Sequence, residues 1–227
     1  GMKYNNIVKG EFIQRFNRFA AEVAIDGVAQ TVHVKNTGRC RELLLPGASV
    51  LLTRSPNPQR KTKYDLVSVY KGDRLVNIDS QAPNKAFKEF LQTGSFLPDL
   101  SLIKPEAAFG NSRLDFYLEA GIRKIFIEVK GATLEEDGVA MFPDAPTERG
   151  IKHIEELIKA KYLGYDAYII FVIQMDGIRH FTPNSRTHAE FAKALGMAES
   201  QGVGVIAMDC SVTEDSMEIK NRIKVVL

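Results

Sequence analysis

Three residues near the middle of the chain have the types and spacing for metal-assisted hydrolysis. Asp115 lies in Arg113-Leu114-Asp115-Phe116-Tyr117-Leu118, and Glu128 and Lys130 lie in Ile125-Phe126-Ile127-Glu128-Val129-Lys130. Alternation of apolar and polar residues at period two marks both segments as strands, with Leu114, Phe116 and Leu118 sharing one face and Ile125, Ile127 and Val129 another. A two-residue turn at Gly121-Ile122, with glycine in the first position of a type II′ turn, sets a register that puts Asp115 opposite Glu128. Directly opposed Cβ atoms are about 4.5 to 5.5 Å apart, so two carboxylates there repel unless they share a cation. Lys130 falls on the same face as Glu128, roughly 6 to 7 Å along the strand. A hard ion such as Mg²⁺ (or Mn²⁺) is satisfied by few carboxylates and keeps coordination positions for a phosphate oxygen and a water. The expected catalytic group is therefore Asp115, Glu128 and Lys130, with Lys130 orienting the water and offsetting developing charge.

The surroundings add to this group. Glu128 and Lys130 interrupt an otherwise apolar strand, where a purely structural role would favour another apolar residue. Glu106 is expected on a helical segment beginning near Pro105, where it fits either a further metal ligand beside Asp115 and Glu128 or a carboxylate favoured by the helix dipole. Thr147 is placed to cap a helix running to Leu163 with Ile151, Ile154, Leu157 and Ile158 as its apolar stripe. Arg149, Lys152 and His153 near its start form a candidate phosphate clamp, since helix N-termini already attract anions. A core-edge role for His153 is the structural alternative. Met141-Phe142-Pro143-Asp144 reads as a loop bordering the site, with Asp144 as a turn residue.

A chain of 227 residues with 44 % apolar content suffices for a packed core in one or two domains. Cys40 and Cys210 lack the spacing of a disulfide framework or a zinc cluster, which points to a reducing, cytoplasmic setting. No apolar run reaches the roughly 20 residues of a membrane span, and the start lacks the apolar stretch of a signal peptide. Net charge is only +2, but residues 1–82 hold 13 Lys and Arg against 7 Asp and Glu, whereas residues 83–227 hold 17 against 21. A basic first third suits phosphate attraction, and equally an ordinary solvated surface.

Within that third, short strands are expected at 7–16, 19–25, 30–34, 49–54, 64–70 and 74–79, with turns at Asp26-Gly27 and Gly72-Asp73 and one helical turn over Arg39–Leu45. This pattern suggests a small barrel such as an OB-fold, and a domain boundary after Ala82. Lys35, Asn36 and Arg39 are the candidate phosphate contacts there, with Arg39 foremost. Phe16 and Phe19 are expected in the core. Beyond Pro83, Asn84 is expected to cap a short helix presenting Phe87, Phe90 and Leu91 and ending at Gly94. From about residue 95 the order is α/β: a hairpin over Ser112–Lys130, the helix from Thr147, a strand over Ala167–Gln174, a helix over Thr187–Glu199 and a strand over Val203–Met208.

Aspartate followed by Glu-x-Lys on a neighbouring strand resembles the constellation of the PD-(D/E)xK nucleases. Longer stretches resemble the sugar fermentation stimulation protein A (SfsA) family: Asn36-Thr37-Gly38-Arg39, Gly110-Asn111-Ser112-Arg113-Leu114-Asp115-Phe116, Ile127-Glu128-Val129-Lys130, and above all the run from Ala140 to His153. Val34-Lys35 departs from the Cys-Pro of that family's first motif, and Pro146 replaces a non-proline. The resemblance implies an OB-like first domain over 1–82 and a restriction-endonuclease-like domain with a mixed sheet over 83–227. It also implies DNA binding without strong sequence preference, with Asp115, Glu128 and Lys130 as the metal and catalytic group. Two readings follow. One is a Mg²⁺-dependent phosphodiesterase acting on nucleic acid, DNA ahead of RNA; the other is a DNA-binding regulator of sugar metabolism that keeps the nuclease fold with little turnover.

Overall fold

The computed structural model describes residues 2–227. After a two-residue strand β1 (Met2–Lys3), six strands follow: β2 (Ile7–Arg15), β3 (Ala20–Ile25), β4 (Val28–Val34), β5 (Ser49–Arg54), β6 (Tyr64–Lys71) and β7 (Arg74–Asn77). They run in the order β4-β3-β2-β5-β6-β7, and a parallel contact of β4 with β6 through His33↔Asp65 and Val34↔Leu66 closes five of them into a barrel. This is the expected OB architecture. Alternate residues fill its interior, Val23, Val32, Leu52 and Leu66 among them, all completely buried. The tight turns are where the sequence placed them. Asp26 and Gly27 both have positive φ, at 51° and 76°, as a type I′ hairpin turn requires. The segment 39–45 is a hydrogen-bonded turn rather than helix: Leu43 and Leu44 N–H both donate to Cys40 carbonyl, and Cys40 itself has φ 50°.

The second sheet has the order β11-β12-β14-β16-β15-β13-β10-β9-β8. Its strands are β8 (Leu100–Phe109), β9 (Ser112–Ala120), β10 (Arg123–Ala132), β11 (Leu134–Glu136), β12 (Val139–Phe142), β13 (Asp166–Ile173), β14 (His180–Pro183), β15 (Gly204–Thr213) and β16 (Ser216–Val225). Parallel pairs such as β10 with β13 and β13 with β15 make it the mixed sheet of an α/β domain. The strand β1 adds to this sheet, Met2 opposite Met217, although it precedes the barrel in sequence. Three helices cover the faces: α1 (Ala82–Gln92), α2 (Glu148–Tyr162) and α3 (Ala189–Ser200). Ile125, Ile127 and Val129 of β10 pack with Phe87 and Leu91 of α1. On the opposite face Phe126 belongs to the core that includes Ile154 and Leu157 of α2. Sandwiched between helices, β10 is therefore an interior strand in which every polar side chain requires a reason.

Several expectations are corrected here. Helix α1 starts two residues earlier than Asn84, with Gln81 at its N-cap and Pro83 in its first turn, so Asn84 is not the cap. Glu106 lies in β8, not on a helix, with φ 54° and an exposed side chain. Strand β8 itself was missed because Leu100–Phe109 has no clean alternation; its outer residues face solvent at the end of the sheet. Among the described residues, no helix is long and apolar enough to cross a membrane.

A polar joint fastens the barrel to the second sheet. Gln174 Nε2 donates to Asn77 Oδ1 and to the Asp79 carbonyl, both at 3.0 Å. Tyr4 Oη donates to Asp79 Oδ2 at 2.8 Å, and Asn77 Nδ2 donates to Tyr4 Oη at 2.9 Å. Asn77, Asp79 and Gln174 are buried, so these bonds replace lost hydration. Gly131, immediately after Lys130, allows the close approach: a Cβ there would lie 2.4 Å from Gln174 Oε1 and 2.7 Å from Pro83 Cγ.

Candidate metal centre and basic face

The hairpin holds the register read from its sequence. Arg123↔Ala120 through Ile127↔Phe116 pair antiparallel, and Gly121 has φ 60° at the turn. One step beyond the last pair, Asp115 and Glu128 face each other, and here side chains take over from the backbone ladder. Asp115 N–H donates to Glu128 Oε1 at 3.2 Å, and Val129 N–H donates to Asp115 Oδ2 at 2.8 Å. The two carboxylates are thus held by the opposite strand's backbone rather than left to swing apart.

Helix α2 completes the group on its β10 side. Thr147 caps it, accepting from Gly150 N–H, and the buried His188 Nδ1 accepts from Thr147 N–H at 3.0 Å. One turn in, His153 is buried with Nδ1 2.7 Å from Glu128 Oε2 and 2.8 Å from Lys130 Nζ; Lys130 Nζ is 3.2 Å from the same Oε2. One ring nitrogen cannot both donate to the carboxylate and accept from the ammonium, so its protonation state decides which contact is a hydrogen bond. His153 is accordingly a core-edge residue bound to the acidic group, whereas Arg149 and Lys152 on the same helix are exposed.

Burial, then the nearby Glu128 charge, raises the Asp115 carboxyl to about 6, against the lowering effect of the Val129 N–H and an Asn84 hydrogen bond. Burial also pushes Glu128 upward, but the His153 hydrogen bond and the Lys130 charge outweigh it and leave that carboxyl below its usual range. Glu128 therefore carries the compensated charge of the pair, and ionising Asp115 beside it is costly unless a cation is near. Asn84 is the residue that sequence reasoning missed. As a helix-cap candidate it looked structural, and only the close approach of α1 to the hairpin reveals its contact with Asp115.

Two carboxylates, with water and phosphate filling the remaining positions, suit an octahedral Mg²⁺ or Mn²⁺. Glu106 falls between the pairs Pro105↔Phe116 and Ala107↔Leu114, hence across from Asp115 on its other side. Among the described residues, no three Asp, Glu, His or Cys side chains gather as a metal-ligand cluster.

On the barrel, the predicted phosphate contacts separate. Lys35 Nζ lies 3.7 Å from the buried Asp79 Oδ2 and belongs to the joint. Asn36 is also internal, its Nδ2 donating to the Ile78 carbonyl and its Oδ1 accepting from Gly38 N–H. Arg39 is exposed. The loop is organised by Arg15, whose guanidinium donates to the carbonyls of Arg18, Asn36, Gly38 and Arg39. Gly38 faces the second domain, where a Cβ would sit 3.5 Å from Asp144 Oδ2, just ahead of α2. Phe16 and Phe19 are 50 % and 51 % exposed, contrary to the expected core placement. The β2–β3 turn directs them outward because Asn17 Oδ1 accepts from both Phe19 and Ala20 N–H.

Comparison with known proteins agrees with this architecture. Residues 13–78 match the SfsA N-terminal OB domain, and residues 81–216 match the sugar fermentation stimulation protein RE domain. A sugar fermentation stimulation protein homolog of Desulfitobacterium hafniense is 60 % identical over 217 residues, covering 96 % of this chain and 95 % of the relative. One from Clostridium beijerinckii is 56 % identical over 226 residues, covering both chains completely. The solved structure of Pyrococcus furiosus SfsA in complex with Ca²⁺ superposes with a TM-score of 0.90 at 30 % identity, over 100 % of this chain and 98 % of that one. The chain belongs to the sugar fermentation stimulation protein family.

Proposed function

We propose that this protein is a divalent-metal-dependent phosphodiesterase acting on nucleic acid, with DNA ahead of RNA because the family resemblance implies DNA binding. The observation that carries the reading is the opposed Asp115–Glu128 pair with Lys130 Nζ 3.2 Å from Glu128. Asp115 and Glu128 would hold Mg²⁺ or Mn²⁺, which supplies charge stabilisation at a phosphate oxygen and a more acidic water. The Ca²⁺ in the archaeal relative's structure, an ion with the same preference for oxygen ligands, supports a divalent site in the family.

The chain's own residues account for orientation. Val129 N–H fixes the Asp115 carboxylate, and His153 and Lys130 fix Glu128. Lys130, drawn between His153 and Glu128, is poised to release one contact and orient a water or a phosphate oxygen. Arg149 and Lys152 at the start of α2, and Arg39 on the barrel, would hold the backbone by charge.

The test incubates purified protein with labelled single-stranded, duplex and branched DNA and with RNA, in Mg²⁺, Mn²⁺ or chelator, beside Asp115→Ala and Lys130→Ala variants. We expect metal-dependent cleavage, reduced roughly 10³-fold by either substitution, and calorimetric metal binding that Asp115→Ala abolishes. Cleavage that survives both substitutions rejects this site. A second reading is favoured by one observation: both Glu128 oxygens already have protein partners. Nucleic-acid binding with no cleavage under any metal would establish that binding-only reading.

A further inference from the structure

We infer that the barrel takes a strand with unpaired bases, stacking them on Phe16 and Phe19 while its arginines hold the phosphates. This rests on the barrel being a nucleic-acid-binding module and is independent of whether the hairpin hydrolyses anything.

The observations centre on the β2–β3 turn. A depression of about 560 Å³ runs between the β2–β3 turn and the loop from Thr37 to Arg41, and Arg15, Arg18, Arg39 and Arg41 line it. No acidic residue lines it. Arg15 is consumed by five carbonyls, that of Asn17 included, and serves as a strut. Arg39 and Arg41 are exposed and, among the described residues, neither side chain has a hydrogen bond or an ion pair. Between them Cys40 points inward and is 1 % exposed, which drives its two neighbours outward. Phe16 and Phe19 do not line the depression themselves but flank in sequence three residues that do, Arg15, Asn17 and Arg18, and the Arg18 guanidinium sits 5.1 Å from the Phe19 ring centroid.

The turn itself does not depend on aromatic rings at these positions, and the Arg18 guanidinium covers one face of Phe19 only. Asn17 and Arg15 already fix the turn by hydrogen bonds, and two half-exposed rings forfeit burial that polar residues would not need. The partner must therefore be polyanionic and also offer flat apolar faces. A duplex presents phosphates but keeps its base faces stacked inward, whereas an unpaired strand presents both. The loop that carries Arg39 approaches Asp144 just before α2, so a strand seated here would continue toward the domain that holds Lys130.

The experiment uses the full chain carrying Asp115→Ala, in chelator, so that cleavage plays no part. Fluorescence anisotropy measures affinity for a dT oligonucleotide, an abasic strand of equal length and a duplex, for the parent and for Phe16→Ala/Phe19→Ala. The parent should bind dT at least tenfold more tightly than the abasic strand. The double substitution should weaken dT binding about tenfold or more, in line with 1 to 3 kcal/mol per stacked base, and leave abasic and duplex affinity unchanged. Both rings are at the surface, and unchanged thermal unfolding verifies the fold of the variant. Equal affinity for dT and abasic strands, or for the parent and the double variant, overturns the stacking inference while leaving a phosphate-binding module intact. Failure to bind any of the three probes overturns both.

Discussion

The hairpin site and the basic face of the barrel use charged residues in opposite ways. At the hairpin, Glu128 is 3 % and His153 8 % exposed, and each polar group there is already met by another. On the barrel, Arg39 and Arg41 stand in solvent without partners among the described residues, near two aromatic rings that the core has left out. Buried, hydrogen-bonded charge gives precise geometry and strong fields, as chemistry on a phosphate needs. Exposed, unpaired charge gives a long-range attraction that tolerates many geometries, as strand capture needs.

If that contrast is right, the largest single effect outside the carboxylates and Lys130 belongs to His153. Its ring holds Glu128 and Lys130 in place, so His153→Ala should lower metal-dependent cleavage about 10- to 100-fold. Strand affinity measured in chelator should remain unchanged. Loss of both together would mean that the two regions are one coupled surface. His153→Gln, which retains one hydrogen-bonding group near Glu128, should recover part of the rate, a result that loss of packing alone would not give.

Arg15 sharpens the comparison from the barrel side, because it is the one arginine of the basic face that works internally. Arg15→Ala leaves five carbonyls seeking water and releases the loop that carries Arg39. Thermal or denaturant unfolding should register about 2 kcal/mol of lost stability, and affinity should fall further than with Arg39→Ala. An Arg15→Ala protein as stable as the parent would show that the loop is set by Asn36 alone.

At the hairpin, the Asp115 charge itself is predicted to destabilise the fold when no cation is bound. Folding raises this carboxyl from 3.8 to about 6, so the folded state binds the proton more tightly than the unfolded one. The ionisation cost is absent below about pH 4 and fully present above about pH 6. Asp115→Asn should therefore stabilise the metal-free protein at pH 7.5 by about 1 to 2 kcal/mol, give no gain at pH 4, and remove the stabilisation that Mg²⁺ confers on the parent. A destabilised variant at pH 7.5 would mean that the Val129 N–H bond outweighs burial of the charge and the repulsion from Glu128.

How much of this was legible in the sequence follows the same division. Period-two alternation and Gly121-Ile122 were enough to place Asp115 opposite Glu128, because strand register propagates residue by residue from a defined turn. The Thr147 cap and its apolar stripe were legible for the same reason: they are local rules. The Asn84 contact was not, and His153 could only be left between a phosphate clamp and a core-edge role, since both depend on which helix crosses which face of β10. Phe16 and Phe19 were misplaced because composition assigns phenylalanine to cores, whereas the turn made by Asn17 turns both outward. Lys35 and Asn36 looked like surface residues until the joint around Asp79 absorbed them.

The smallest effect is the most specific test of the barrel. If Arg41 meets strand phosphate as an unpaired surface charge, Arg41→Ala should cost only a few-fold in affinity near physiological salt, because one counterion's release is lost. It should also flatten the plot of log affinity against log salt by about 0.7 for a single strand. The same substitution should leave unfolding and cleavage per bound strand untouched, since no other side chain leans on this guanidinium. Arg60, by contrast, is bound to Asp65 at 2.7 Å. Arg60→Ala should therefore leave the slope nearly unchanged while removing an ion pair within the barrel. If the two substitutions alter the slope equally, strand binding is spread over the whole barrel surface, and the distinction between a working face and its scaffold fails at the first domain.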